Sequence, residues 1–176
     1  ISEAMPNPFL APGTLAKAGL PAEAISITNP LVTEESVLRT SLRPGLLEVI
    51  AYNESHRQAG MSLFEIGHVY PPSESELPAE YEALTVVLAG REAPAAVAVW
   101  RELTTNLGFG ARVDQSKVPA GLHGTRSATL QAGKAPLGAV GEVAPEVLAA
   151  FGVTERVAIL ELNLDDRALA GVLGLG

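Results

Sequence analysis

Short apolar stretches with the spacing of β-strands recur along the chain and are separated by glycine, proline and polar residues. The segments typical of strands are "AISITNP", "SVLRTSL", "MSLFEIGHVY", "ALTVVLAG" and "RVAILELNL". The fourth is continuously apolar, which predicts a central strand covered on both faces. The fifth alternates between two sets of side chains: Ala158, Leu160, Leu162 and Leu164 against Ile159, Glu161 and Asn163.

Segments with helical spacing lie between the predicted strands. Residues 12–18 predict a short helix that Gly19 ends, and residues 44–53 predict a second helix that begins at a proline. "PEVLAAF" predicts another short helix, which Gly152 ends, and Asp165 is expected to cap a last one. The longest helical segment, "APAAVAVWRELTTNLG", places its apolar residues on one face: Ala96, Val99, Trp100, Leu103 and Leu107.

These segments together predict an α+β fold. "RSATLQAGKAPLGAVGEV" predicts a hairpin with its turn near residues 133–134, which gives about six or seven strands with three to five interspersed helices. We therefore expect a mostly antiparallel sheet flanked by helices, with the helices on one side. The length of 176 residues predicts a single domain over residues 1–176. Because the chain begins "ISEAM" and ends "AGVLGLG", we expect it to be excised from a longer chain.

Composition excludes several classes of function. The formal charge is −8 with only 12 lysines and arginines, which argues against an extended surface for nucleic-acid phosphates. The chain has no cysteine, so disulfides, thiolate metal sites and cysteine nucleophiles are excluded. No apolar run reaches the roughly 18–20 residues that span a bilayer, and the N-terminus lacks the order of a signal peptide. A cytoplasmic protein without a membrane partner is the simplest interpretation.

Candidate metal ligands are few and have structural alternatives. His56, His68 and His123 lie far apart in sequence, without a second ligand at helical or hairpin spacing, so surface or structural roles are favoured over metal binding. Three acids within and just after the last apolar strand could hold a divalent ion, although a helix cap beside a strand end explains them more simply. These acids are Glu161, Asp165 and Asp166.

Three further residues or motifs are candidates for catalysis or binding. Ser127 lacks a Gly-x-Ser-x-Gly elbow, so no nucleophilic role is assigned. Gly138 and Gly141 resemble part of a phosphate loop, but a close contact within the sheet or with a helix is favoured. Arg39 lies within "SVLRTSL", where an unpaired buried charge would be very costly, and Glu65 in "LFEIG" is the obvious partner. We expect these two segments to form neighbouring strands.

Four motifs follow one another in a fixed order: "NPLVTEESVLRTSLRPGLLEVIAYN" and "LFEIGHVY" in the first half of the chain, and "HGTRSATL" and "LGAVGEVAPEVLAAFGV" in the second. Their sequences and their order resemble the core region of the bacterial phenylalanyl-tRNA synthetase β subunit. The resemblance extends over residues 7–170. The motif residues, to which only a structural role is assigned, are Asn29, Pro30, Leu38, Arg39, Pro44, Gly45, Phe64, Glu65, Gly67, Arg126, Gly141 and Pro145. Departures from the family pattern occur at Arg43, Gly124, Thr125 and Ala144.

The resemblance implies the fold of a class II aminoacyl-tRNA synthetase catalytic domain without its catalytic residues. Catalytic members have an ATP-binding arginine where Pro71 and Pro72 stand here. They have a second one after a glycine-rich strand, where this chain has "VAILELNLDD" followed by Arg167. No catalytic, cofactor or metal residue is therefore expected in this chain, and in the holoenzyme the α subunit would hold ATP and magnesium.

The resemblance also implies partners. These are the α subunit and the other β-subunit domains, with direct tRNA contact not expected. Class II domains usually meet their partner through a long helix before the first strand, and "ISEAM" has none before it, so this segment is expected to bind α weakly or not at all. Two other hypotheses stay open: a working ATP-dependent ligase domain with unusual residues, and a free-standing protein-interaction module of the same fold.

Overall fold

The computed structural model describes residues 1–73, 79–132 and 135–165. Its first half contains two short strands, two helices, a 3-10 turn and a third short strand; in chain order these are β1 (Ser2–Glu3), β2 (Phe9–Leu10), α1 (Thr14–Lys17), the turn Thr33–Glu35, β3 (Val37–Leu38) and α2 (Arg43–Ser55). The long strands follow, with two helices between them: β4 (Ser62–Val69), β5 (Tyr81–Ala89), α3 (Ala93–Leu107), β6 (Arg112–Asp114), β7 (Leu122–Ala132), β8 (Ala135–Val143), α4 (Pro145–Phe151) and β9 (Val157–Asn163).

Seven strands form one sheet in the order β1-β4-β5-β9-β8-β7-β6. Only the β1–β4 pair is parallel, and every other neighbouring pair in this sheet is antiparallel. The α+β prediction with a mostly antiparallel sheet is confirmed. β5 lies between β4 and β9, and Val86 to Ala89 are all buried, as the continuous apolar run predicted. The predicted hairpin is confirmed as β7 and β8, and its turn lies outside the described residues.

Helices cover both faces of this sheet, so the prediction of helices on one side is wrong. One apolar cluster joins α2 and α4 to the sheet and includes Leu46, Ile50 and Ile159. A second cluster lies on the other face under α3 and includes Trp100 and Leu160. The alternation in the last strand provides both faces, because Ile159 points to the first cluster while Leu160 points to the second.

The segment "SVLRTSL" is not a neighbour of "LFEIG" in the sheet, which contradicts the prediction. Only Val37–Leu38 is extended, and it pairs with Phe9–Leu10 in a separate two-stranded sheet. Tyr70 N–H, just beyond β4, donates to Arg39 O at 2.8 Å, so the chain meets the end of β4 without forming a ladder with it. Helix α2 begins at Arg43, so the few residues after Arg39 lead into this helix and do not continue the strand.

Other predicted boundaries also change. "AISITNP" is not a strand, since it makes only the isolated bridge from Ser26 to Val37. Helix α1 is shorter than predicted because Gly13 precedes it with a left-handed φ of 85°. Leu107 is 61% exposed, so the core face of α3 ends before its last turn. Gly19 and Gly152 have the positive φ expected after a helix, and the last helix predicted after Asp165 lies outside the described residues.

Candidate functional site

A cavity of about 210 Å³ lies on the sheet face that α2 shares, between the strands and residues 40–42. Its floor is formed by four strands, and its rim by the segment that leads into α2. The lining residues are Leu20, Thr40, Ser41, Leu42, Val69, Tyr81, Ala83, Thr85, Gly138, Ala139, Glu161, Leu162 and Asn163. Within the described residues, no lysine or arginine lines this cavity. Concave sites of this kind are the default candidates for binding, so the charges around it decide what it can do.

Arg43 and Glu161 form a bidentate ion pair at the edge of the cavity. Arg43 Nε donates to Glu161 Oε1 at 3.0 Å and Arg43 Nη2 to Glu161 Oε2 at 2.5 Å. Nη1 of the same arginine donates to Ala18 O at 3.2 Å and Ala120 O at 2.7 Å. Since Arg43 is only 2% exposed, its charge is held inside the protein.

This pairing corrects the two interpretations of Glu161. Its oxygens accept hydrogen bonds from Arg43 and from Ser41 Oγ, so in this structure it is the ion-pair partner of a buried arginine. In the part of the chain that the structure describes, no group of three or more metal-binding side chains occurs. Asp165 N–H donates to Asn163 Oδ1 at 2.7 Å, and Asp166 lies outside the described residues.

The predicted pair of Arg39 and Glu65 is confirmed. Arg39 Nη1 lies 2.6 Å from Glu65 Oε1, and Arg39 Nε donates to His68 O at 2.8 Å. Both residues are buried, and Glu65 Oε2 has no hydrogen-bond partner within the described residues. Burial raises the pKa of Glu65, although the nearby Arg39 charge and its hydrogen bond act in the opposite direction.

Gly67 makes room for this pair. A Cβ added at Gly67 would lie 2.5 Å from Arg39 Nη2 and 3.0 Å from Glu65 Oε1. Glycine is therefore required at this position by the guanidinium that lies over β4. Gly45 has a related role at the start of α2, because a Cβ there would lie 2.9 Å from Pro6 Cβ. Gly67 thus leaves room for the buried ion pair, and Gly45 for the contact of α2 with Pro6.

The structure also places the remaining motif residues of the first half. Pro44 is buried in the first turn of α2, where a proline is tolerated because its missing N–H would have no partner. Leu38 belongs to β3, and Phe64 to β4, where it packs at the border of the α3 cluster. Asn29 and Pro30 lie in the loop before the 3-10 turn.

Sequence reasoning missed a second buried carboxylate, Glu142 in β8, which is 2% exposed. Glu142 Oε2 accepts from Arg126 Nε at 2.9 Å, Oε1 accepts from Ala93 N–H at 2.9 Å, and both oxygens accept from Arg156 Nη2. Burial raises the pKa of Glu142, but the hydrogen bonds from Ala93, Arg156 and Arg126 outweigh it and hold that pKa below its ordinary value. A lone acid in the apolar run "LGAVGEV" is the signal that could have revealed it.

The second group of motif residues surrounds Glu142. Arg126 pairs with it directly, and Pro145 begins α4 two residues after β8 ends. A Cβ at Gly141 would collide with Arg126 O, and one at Gly138 would collide with Glu161 O. The favoured interpretation of both glycines as close contacts is confirmed. The two groups of motif residues thus surround different carboxylates.

The histidines and Ser127 do not form a site. His56 lies at the end of α2 and His68 is exposed on β4. His123 Nδ1 accepts a hydrogen bond from Thr125 N–H at 3.2 Å. Ser127 is buried, and its Oγ donates to His123 O at 2.7 Å, which fixes the irregular start of β7.

Pro71 lies just beyond the end of β4 and is half-buried. Proline provides neither a charge nor a backbone N–H at this position. On the far side of the cavity, Tyr81 has a pKa raised by burial and by the charges of Glu161 and Asp165, so its phenol stays protonated at neutral pH. The cavity edge is therefore neutral or acidic, and Arg167 lies outside the described residues.

Comparison with known proteins identifies the family. Residues 1–164 match the family described as phenylalanyl tRNA synthetase beta chain CLM domain. The phenylalanine–tRNA ligase beta subunit of Dehalococcoides mccartyi is 32% identical over 160 residues, which cover 84% of this chain and 20% of that protein. That of Geobacter sulfurreducens is 32% identical over 180 residues, covering 89% of this chain and 22% of that protein. The chain thus spans about a fifth of the length of these relatives.

A solved structure confirms the fold expected from the resemblance. The pyrrolysyl tRNA synthetase of Desulfitobacterium hafniense superposes with a TM-score of 0.71 over 97% of this chain and 62% of that chain. Sequence identity is 17%, so this likeness concerns the class II-like fold alone.

Among the described residues, no helix has the length and apolarity needed to cross a bilayer. On the family match and the curated relatives, this chain belongs to the phenylalanyl-tRNA synthetase β-chain family, in the region of its CLM domain.

Proposed function

We propose that this chain is a non-catalytic scaffold module of the phenylalanyl-tRNA synthetase β subunit. In this proposal it packs against the α subunit and the other β-subunit domains and supports the ligase that attaches phenylalanine to tRNA. The names of the relatives support the ligase assignment, since each is a phenylalanine–tRNA ligase beta subunit. Residues 1–176 would form one domain of that longer chain, in the cytoplasm.

The observation that carries this proposal is that two arginines of the segment leading into α2, Arg39 and Arg43, are paired inside the protein. Arg39 is paired with Glu65, and Arg43 with Glu161, in buried contacts of 2.6 and 2.5 Å. Adenylate formation needs cationic donors directed at the α-phosphate, and one such donor is typically worth about 2.7–4 kcal/mol in the transition state. Because each guanidinium is paired with a carboxylate inside the protein, its charge is largely compensated there and is not directed at a nucleotide.

The same electrostatics motivate the proposed cofactors and partners. We assign no cofactor to this module, and ATP and magnesium would be held by the α subunit. Among the described residues the cavity lining has one carboxylate, Glu161, which is paired with Arg43, and no lysine or arginine, so it offers no free cation to a triphosphate. With a formal charge of −8, the module is also proposed to make no direct contact with tRNA phosphates.

Phenylalanine-dependent exchange of pyrophosphate into ATP tests the catalytic part of the proposal. We expect no exchange above background for the purified 176-residue chain, and normal exchange for an α-containing synthetase assayed in parallel. Exchange that depends on phenylalanine and survives repurification of this chain would support a working ligase domain instead.

Filling the cavity tests the scaffold role in the assembled enzyme. Ala139 lines the cavity, and Ala139→Leu in the full β subunit reduces the space without adding charge. We expect kcat and KM for aminoacylation to stay within about twofold, because the chemistry takes place in α. A loss of tenfold or more, with the αβ assembly intact by size-exclusion chromatography, would contradict the proposal.

A further inference from the structure

The outer edge of β6 is an unpaired sheet edge with a self-complementary pattern of residues. β6 is the last strand of the sheet and pairs only with β7, through Arg112, Val113 and Asp114. No other strand within the described residues pairs with its outer edge. Unpaired edges of this kind are the usual places where a second strand adds to a sheet.

One face of the β6 edge borders a groove. Ala111, Val113 and Gln115 alternate along the chain and all line a groove of about 670 Å³ between β6 and α3. Trp100 lies at its base and is only 4% exposed, whereas Val113 is 50% exposed. A Cβ at Gly110 would meet no atom within 4 Å, so the approach to this edge is open.

The other face of the β6 edge carries one positive and one negative side chain. Arg112 is exposed, and Asp114 stands two residues further along the same face. Hydrogen bonds from Ser116, followed by the charges of Arg112 and Lys117, lower the pKa of Asp114 and keep it ionised at neutral pH. In sequence order, the three side chains of β6 are therefore positively charged, apolar and negatively charged.

We propose that the β6 edge pairs with the β6 edge of a second copy of this chain, antiparallel and about a two-fold axis at Val113. Antiparallel pairing about this axis places Arg112 opposite Asp114 of the second copy, and Asp114 opposite Arg112 of the second copy. Val113 then meets Val113 of the second copy over the groove. Parallel pairing in register would set like charges beside each other, so the charge pattern selects the antiparallel arrangement.

The proposed contact is small, so we expect the dimer to be weak. Three strand residues and the adjoining groove provide much less than the roughly 1,000 Å² of a stable interface, so the dimer dissociates readily. We expect a dissociation constant on the order of 10–1,000 µM, within reach of sedimentation equilibrium. The proposal does not rest on the scaffold function, because β6 contains none of the residues from which that function is argued.

Charge exchange at the β6 edge is the decisive test. The 176-residue chain is measured by sedimentation equilibrium from about 10 µM to 1 mM, which is the range of the expected dissociation constant. Asp114→Arg sets arginines opposite each other in both cross-strand pairs, and we expect the dissociation constant to rise at least about tenfold. The double variant Arg112→Asp/Asp114→Arg restores opposite charges and should return the constant to within about threefold of the wild type.

Two outcomes would overturn the proposal. One is a wild-type chain that stays monomeric across the whole concentration range. The other is a double variant that associates as weakly as Asp114→Arg alone, since charge complementarity would then not direct the contact. Glu3→Arg, at the opposite end of the sheet, serves as the matched control for a change of net charge and should leave association unchanged. Circular dichroism of each variant establishes that its sheet is intact.

Discussion

Removing Arg39 should destabilise the protein strongly, because it leaves a charged carboxylate buried. Arg39 and Glu65 are 7% and 3% exposed. Among the described residues, the side chain of Glu65 makes one hydrogen bond, the 2.6 Å contact with Arg39. Removing one partner of such a pair typically costs about 3–5 kcal/mol. We expect Arg39→Met, which keeps most of the apolar stem, to lower the free energy of unfolding by about this amount at pH 7.

Urea unfolding monitored by Trp100 fluorescence measures this loss, since Trp100 is the only tryptophan and is buried under α3. Arg91 is exposed, so Arg91→Met is a matched control that should change stability by less than about 0.5 kcal/mol. The double variant Arg39→Met/Glu65→Leu removes the isolated charge and should recover most of the loss. A loss below about 1 kcal/mol for Arg39→Met, or a double variant less stable than the single one, would refute the reasoning.

The pH dependence of this variant has a defined sign. The folded-state pKa of Glu65 lies above its ordinary value of 4.5, so the folded state binds its proton more readily than the unfolded state does. The unfavourable contribution of Glu65 is therefore absent below pH 4.5 and complete above the raised pKa. Without Arg39 that pKa should rise further, and the cost of Arg39→Met should shrink as the pH falls toward 5. A cost that grows on acidification would contradict this account.

Three further predictions follow from the carboxylates and the cavity. Gly67→Ala should cost about 1–3 kcal/mol in urea unfolding because its Cβ meets Arg39, whereas Gly124→Ala, with no atom within 4 Å, should change stability little. Glu142→Gln should lower the free energy of unfolding by about 2–3 kcal/mol at pH 7. Because the folded-state pKa of Glu142 is lowered, this difference should begin to shrink as the pH falls below 4.5 and be lost once the pH is below the lowered folded-state pKa; a difference that does not shrink on acidification would contradict the assignment. Pro71→Arg should not produce pyrophosphate exchange, since groups that act on the same phosphates fail together when one is missing.

The buried charges show how far sequence reasoning reaches at this site. An arginine inside "SVLRTSL" and an acid inside "LFEIG" can be paired from the amino-acid sequence alone, because each would otherwise be a buried unpaired charge. Glu142 had the same signal and could have been found in the same way. Its partners Arg156 and Ala93 could not have been identified from sequence, because Arg156 follows it by 14 residues and Ala93 precedes it by 49. Only the folding of β8 and β9 beside α3 brings these residues together.

The sequence alone determined the types of most elements and the family, because hydrophobic periodicity and the order of motifs are local properties of the chain. The seven-stranded order, the helices on both faces and the separate sheet of β2 and β3 were decided by tertiary packing. A short apolar segment such as "AISITNP" has strand propensity but finds only one bridging partner, so its propensity is not realised. Arg43 is the clearest case: its sequence position suggested only a departure from the family pattern, whereas the fold joins it in a bidentate pair to Glu161, 118 residues further along the chain. Ion pairs between distant residues depend on the fold as a whole, and local sequence does not contain that information.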